Sequence, residues 1–136
     1  TKYPVEFIEG EYDPKKFYEI ARGLEDEKEG GKRCRKCFEL RLGETARLAK
    51  EMGFDYFTTT LTISPKKDEQ VLNVVAKEQG AIYGVKALPS DFKRKGGNKR
   101  SIELSAEYNL YRQNYCGCAY SKREAEEREK KQSADK

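Results

Sequence analysis

Four cysteines in two close pairs, Cys34-x-x-Cys37 and Cys116-x-Cys118, leave this 136-residue chain few ways to fold. If both pairs serve one centre, everything between them must form a structure that brings its two ends together. The sequence contains no histidine, so the commonest metal ligand and the commonest general base are both missing. No run of eighteen apolar residues exists to span a membrane. Thr1 to Gly10 lacks the basic start and apolar run of a secretory signal. The expectation is a cytoplasmic, reducing location, where such pairs serve metal ligation or redox chemistry rather than structural disulfides.

Cys34 and Cys37 lie three apart at the start of a helical pattern, which puts both thiols on one side. Lys32, Arg33, Arg35 and Lys36 surround them. A helix N-terminus and neighbouring cations both favour thiolate, so low thiol pKa values are expected here. Gly117 separates the second pair and, at positive φ, permits a tight turn that converges two sulfurs. Four thiolates suit either a tetrahedral zinc site or an iron–sulfur cluster. Three readings stay open on spacing alone: a zinc staple within a non-catalytic RNA-binding module, an iron–sulfur enzyme, and a thiol–disulfide oxidoreductase. The third explains least, because a disulfide shuttle needs only one pair.

Along the chain, strand and helix patterns alternate. Pro4 to Ile8 reads as a short strand. Asp13 and Pro14 then cap and open a helix that Gly23 ends. Glu25 to Lys32 reads as a loop. Phe38, Leu42, Thr45, Ala46, Ala49 and Met52 form one face of a helix from Cys34 to about Met52, stopped by Gly53. Phe54 to Thr60 (FDYFTTT) reads as a buried strand. Ser64-Pro65 looks like a helix start, followed by Leu72, Val75, Ala76 and Gln79 on one face. Ile82 to Leu88 is a further strand broken by Gly84. Ser90 to Asn98 reads as a basic loop or lid, and Ser101 to Tyr108 as a short helix ending at Asn109. After Tyr120 almost no apolar residue occurs, and that stretch reads as a frayed helix or disordered tail. The expected architecture is α/β with a parallel sheet, in a domain over 1–120 with a charged tail over 121–136.

The net charge of +4 is too small to imply nucleic acid by itself. Its distribution says more. Lys93, Arg94, Lys95, Lys99 and Arg100 fall within eight residues around Gly96 and Gly97, a pattern able to grip phosphates. Tyr108, Tyr111, Arg112 and Tyr115 add stacking surfaces near the second cysteine pair. Thr58, Thr59, Thr60, Thr62 and Ser64 make a hydroxyl-rich strand exit, the end of an open sheet where ligands bind. Asp68 and Asp91 are the nearest carboxylates, and each also suits a cap or turn.

Two blocks carry a family resemblance. Gly30 to Asp68 (GGKRCRKCFELRLGETARLAKEMGFDYFTTTLTISPKKD) and Leu88 to Cys118 (LPSDFKRKGGNKRSIELSAEYNLYRQNYCGC) resemble the central and C-terminal signatures of QueH-type epoxyqueuosine reductases. The resemblance implies a two-electron deoxygenation of epoxyqueuosine to queuosine in tRNA, the last step of queuosine biosynthesis. It also implies a nucleotide-binding-like (adenine nucleotide alpha hydrolase-like) sheet, a [4Fe-4S] cluster with an additional iron ion, and an electron donor outside the chain. Cys34, Cys37, Cys116 and Cys118 match two of the family's three cysteine groups. The first, a CCxxC motif, has no counterpart here. The opening residues resemble the family's third strand, so the first two strand–helix units are expected to be missing, and the isolated piece to be inactive. Asp91, Tyr115 or a metal-bound water is the expected proton donor. Thr60, Ser64, Lys93, Arg94, Lys95, Arg100 and Arg112 are the expected substrate and tRNA contacts.

Overall fold

A computed structural model describes residues 4–11, 13–113 and 115–134. Parts of three sequence expectations lie outside them: residues 1–3 of the opening segment, Asn114 in the tyrosine-flanked stretch, and residues 135–136 of the tail. The element order is α1 (Pro14–Ala21), α2 (Lys32–Glu51), β1 (Tyr56–Phe57), α3 (Glu69–Tyr83), β2 (Lys86–Ala87), α4 (Gly97–Glu107) and α5 (Ala119–Ala134), with 3-10 turns at Leu61–Ile63 and Arg94–Gly96. This is an α/β arrangement in which helices far outweigh sheet. None of the helices among the described residues is long and apolar enough to cross a membrane.

The core forms where α2 meets α3. Phe38, Leu42, Ala46 and Ala49 from α2 bury against Leu72, Val75 and Ala76 from α3, with Phe57 and Val85 closing one side. The periodic faces read from the sequence are these, except that Thr45 is exposed, Met52 is 43% exposed and Gln79 is only half-buried, outside the core. β1 and β2 pair in parallel, Tyr56 opposite Lys86 and Phe57 opposite Ala87. Parallel neighbours require a crossover, and α3 supplies it.

Each strand is shorter than the sequence suggests, for identifiable reasons. Ile82 and Tyr83 are the last turn of α3, because the helix continues until Gly84 takes a left-handed φ of 75°. That leaves β2 two residues long, and β1 can pair only that far. Beyond Phe57, side chains take over from the ladder. Thr58 Oγ1 donates to Leu88 O at 2.9 Å, and Leu61 N donates to Thr59 Oγ1 at 3.1 Å. Pro4 to Ile8 forms no strand at all. Val5 and Phe7 are 68% and 87% exposed, and no neighbouring strand among the described residues is present for the segment to pair with.

Helix starts also differ. α3 begins at Asp68 rather than Ser64, since the Asp68 carboxylate accepts from both Gln70 N and Val71 N, at 2.9 and 3.4 Å. Ser64 Oγ accepts only from Lys66 N, within a turn. α1 starts where expected, with Asp13 Oδ1 accepting from Lys15 N at 3.2 Å. The Ser90 to Asn98 stretch is not one open loop. It holds a 3-10 turn and the start of α4 at Gly97, where any Cβ would run into the carbonyl of Phe92. Past Tyr120 the chain is helical through Ala134, with Ser121 and Ala125 buried.

Gly80 marks the tightest packing of the crossover. A Cβ there would collide with the Val85 carbonyl and sit 3.1 Å from Phe57 Cε1. Glycine in a helix interior usually costs about 1 kcal/mol relative to alanine. Here overpacking reverses the sign, because the obstacle is backbone. Gly80→Ala should lower unfolding stability by roughly 1–3 kcal/mol, measured by urea denaturation; a stabilised variant would contradict this packing.

Candidate metal and substrate site

The first cysteine pair sits on the opening turns of α2. Gly31 caps that helix without a side-chain bond, and Gly30 N donates to Cys34 Sγ at 3.2 Å. Cys37 follows one turn later. The second pair precedes α5, with Gly117 at φ 95°, the turn its position calls for. Cys118 Sγ accepts from Ser121 N at 3.3 Å, acting as the cap of α5. The Ser121 hydroxyl ties the loop together. It accepts from Cys116 N at 3.1 Å and donates to Cys118 O at 3.0 Å, while only 2% of the residue is exposed.

All four thiols line one cavity of about 570 Å³. Phe17, Tyr18, Arg33 and Arg41 share its wall. A smaller cavity of about 90 Å³ joins Cys34 and Cys116 to Lys66, Lys67 and Asp68, so the turn after Ser64 borders the cysteines. Among the described residues no three Cys, Asp or Glu groups already close on a single metal position. The thiols face a shared space rather than touching. As soft donors around one half-enclosed volume, they are chemically matched to iron or zinc.

Thiol acidity departs from the sequence expectation. Burial pushes both the Cys34 and Cys37 thiols up. At Cys34 the Gly30 backbone N–H and Arg33 only partly oppose this, and at Cys37 only Arg41 does. Two of the flanking cations are engaged elsewhere. Arg35 pairs with Glu39 at 3.7 Å and Glu78 at 3.3 Å, and Lys36 pairs with Glu39 at 3.6 Å. Arg33, also expected as a flanking surface charge, is only 1% exposed. Its Nη1 donates to the carbonyls of Leu24, Glu25 and Glu27, its guanidinium lies 4.7 Å from the Tyr120 ring centroid, and its Nη2 is 3.7 Å from Glu124.

The remaining predicted residues are spread out. Asp91 pairs through Oδ2 with Arg94 at 2.7 Å and does not line the cysteine cavity. Tyr115 is half-buried beside Cys116, its carbonyl held by Gln113 Nε2 at 2.9 Å. Thr60 caps the Leu61–Ile63 turn, and Thr62, fully buried, bonds Ser90 Oγ at 3.1 Å and accepts from Phe92 N at 3.1 Å. Lys93 is not a free surface cation, because Nζ donates to the carbonyls of Thr62 at 3.3 Å and Lys67 at 2.8 Å. Arg100 pairs with Glu103 at 3.2 Å, and Arg112 donates to Ser101 and Ser105 at 3.1 and 3.0 Å. Lys95 is exposed with φ 53°. Sequence reasoning missed Ser121, Phe17, Tyr18 and the buried role of Arg33. The one available signal was Ser121 at the third residue of the helix that Cys118 opens.

The fold and site thus define a class: a small α/β protein with a cysteine-walled cavity. The model of the family described as epoxyqueuosine reductase QueH matches residues 1–124. Epoxyqueuosine reductase QueH of Streptococcus pyogenes serotype M1 is 50% identical over 121 residues, covering 89% of this chain and 48% of that protein. The protein of the same name from Staphylococcus epidermidis is 50% identical over 123 residues, 89% of this chain and 52% of its own length. That from Thermotoga maritima is 37% identical over 122 residues, 88% and 64% respectively. The chain belongs to the QueH epoxyqueuosine reductase family. It spans about half the length of the Streptococcus and Staphylococcus relatives it matches.

Two outcomes test this geometry. Ser121→Ala leaves the half-buried Cys116 N–H without its acceptor, which costs up to about 1–3 kcal/mol. It should lower the unfolding midpoint and speed alkylation of Cys116 and Cys118 while leaving Cys34 and Cys37 unchanged. In the metal-free protein, Cys34 and Cys37 should alkylate more slowly than an exposed thiol at pH 8. Their rates should keep rising above the ordinary thiol range, since burial favours the protonated form. Fast labelling at neutral pH would contradict the burial.

Proposed function

We propose that this chain carries the second and third cysteine groups of an epoxyqueuosine reductase, acting on epoxyqueuosine in tRNA. The observation that carries this reading is the convergence of Cys34, Cys37, Cys116 and Cys118 on one cavity in a member of this family. The reaction takes two electrons and two protons, removes the epoxide oxygen as water and leaves the carbon–carbon double bond of queuosine. A [4Fe-4S] cluster would supply the electrons singly, and an additional iron would supply a Lewis acid. Cys34, Cys37, Cys116 and Cys118 would supply part of the ligand set for these groups, and the family's first cysteine group, which has no counterpart in this sequence, would supply the rest. Phe38, buried yet lining the cavity, puts an apolar surface beside the cysteines. The reductant is an electron donor outside this chain.

Besides a metal-bound water, the proton-donor candidates are Tyr115 and Asp91; neither lines the cysteine cavity, but Tyr115 adjoins Cys116 in the chain, whereas the Asp91 carboxylate is bound to Arg94. That favours Tyr115. Thr60 and Ser64 stand on the turn whose far end borders Cys34, which suits them to the substrate. Arg94, Lys95, Arg100 and Arg112 remain exposed enough to meet phosphates, while Lys93 holds their turn in place. The parallel β1–α3–β2 unit supports reading this chain as part of a nucleotide-binding-like sheet. Free cysteines at all four positions suit the cytoplasm.

Anaerobically purified full-length protein should be brown, with iron and sulfide, and Cys34→Ser should reduce the iron bound, because a hydroxyl is a poor ligand for soft metal chemistry. Colourless protein with one zinc per chain would favour the zinc-stapled RNA-binding module. Lys95→Glu with Lys99→Glu should weaken tRNA binding and flatten its salt dependence, by about 0.7–0.9 in log–log slope for each phosphate that is no longer neutralised. An unchanged slope would return this turn to ordinary solvated surface.

A further inference from the structure

The cysteine cavity has a second wall that carries no sulfur. Phe17 and Tyr18 on α1 line it, together with the carboxylates of Glu11 and Asp13. Tyr18 is 49% exposed although a large ring usually finds cover. The rings of Phe17, Tyr18 and Tyr120 form a cluster with centroids 5.7, 6.0 and 6.3 Å apart and interplanar angles of 60°, 50° and 74°. None of these pairs is a parallel stack, so the cluster holds the rings firmly without covering them by one another. The Asp13 carboxylate is partly engaged in capping α1, whereas Glu11 is exposed.

We propose that this wall is the base subsite of the cavity: a guanine-type heterocycle turned out of a single-stranded RNA loop stacks on Tyr18 and offers its N–H edge to Glu11. The inference rests on the reductase reading and deepens it. A reacting group attached to a base can reach the cysteines only if the base lies in the same cavity. The volume of about 570 Å³ falls within the range of sites that enclose small molecules. Splayed RNA bases stack on aromatic rings and are read along their hydrogen-bonding edges. Carboxylates accept hydrogen bonds and repel phosphate, so this wall fits a base rather than the backbone. A guanine-type edge carries two adjacent donor groups, N1–H and the exocyclic amine, which match one carboxylate. A uracil edge offers a single N–H between two acceptors and does not.

The test measures binding of stem–loops to the complete, iron-loaded protein by fluorescence anisotropy. One stem–loop carries epoxyqueuosine and the other has uracil in its place. Wild type should prefer the modified loop. Tyr18→Phe should bind like wild type, because the π-face survives. Tyr18→Leu, similarly apolar but without a ring, should bind about tenfold more weakly, the size expected for one base–aromatic stack. Glu11→Gln should lose preference for the modified loop over uracil. Iron content should be the same in all four proteins. If wild type discriminates and both Tyr18→Leu and Glu11→Gln match it, the subsite is overturned while the reductase reading stands. If wild type itself does not discriminate, the reductase reading falls and the subsite with it.

Discussion

The buried guanidinium of Arg33 is the contact on which the geometry of this protein turns. It is the second residue of α2 and immediately precedes Cys34. Through Nη1 it gathers three carbonyls of the 24–27 loop; through its flat face it meets Tyr120; through Nη2 it reaches Glu124 on α5. One side chain thereby fixes the start of the helix bearing the first cysteine pair against the helix that follows the second. Hydrogen bonds from a buried charged group contribute roughly 1.5–3 kcal/mol each. An exposed pair such as Arg100–Glu103 contributes about 0–1 kcal/mol. Lysine could not replace this arginine, because a single ammonium lacks both the fork and the planar face. Neither Nε nor Nη2 of Arg33 has a hydrogen-bond partner among the described residues, the 3.7 Å approach to Glu124 being an ion pair only, so some of the desolvation cost stays uncompensated.

The site follows from that contact. The α2–α3 core holds Cys34 and Cys37 on a rigid helix, and Arg33 with Tyr120 brings the Cys116–Cys118 loop alongside. Ser121 then shapes the loop from within. The result is a cavity whose walls divide the work: sulfur on one side, aromatic rings and carboxylates on another. Burial holds Cys34 and Cys37 in the thiol form without metal. Deprotonation would accompany binding of a soft metal ion, so metal affinity should rise with pH.

Much of this is legible in the sequence. The Asp13-Pro14 start of α1, the apolar faces of α2 and α3, and the positive-φ turn at Gly117 follow from local rules, which act within a few residues. The strands are not legible to the same degree. FDYFTTT and IYGVKAL have strand-forming composition, but ladder length depends on a partner, and α3 takes Ile82 and Tyr83 for its last turn. Pro4 to Ile8 shows the same dependence, since strand propensity without a neighbour produces exposed, unpaired chain. The acidity of the thiols differs from the expectation first because burial, which the sequence does not display, outweighs the nearby cations, and second because sequence does not show where those cations point. Arg35 and Lys36 turn to Glu39 and Glu78, and Arg33 turns inward. The tail after Tyr120 has almost no apolar residue, yet Ser121, Ala125 and Glu124 dock its first turns.

The central claim is that two cysteine pairs far apart in sequence share one cavity, and cross-linking of the metal-free protein addresses it directly. Dibromobimane becomes fluorescent when both of its arms alkylate thiols, and peptide mapping then identifies the bridged cysteines. The structure predicts bridges joining Cys34 or Cys37 to Cys116 or Cys118, abolished in denaturant. Bridges confined to Cys34–Cys37 and Cys116–Cys118, with none between the pairs in the folded protein, would contradict it.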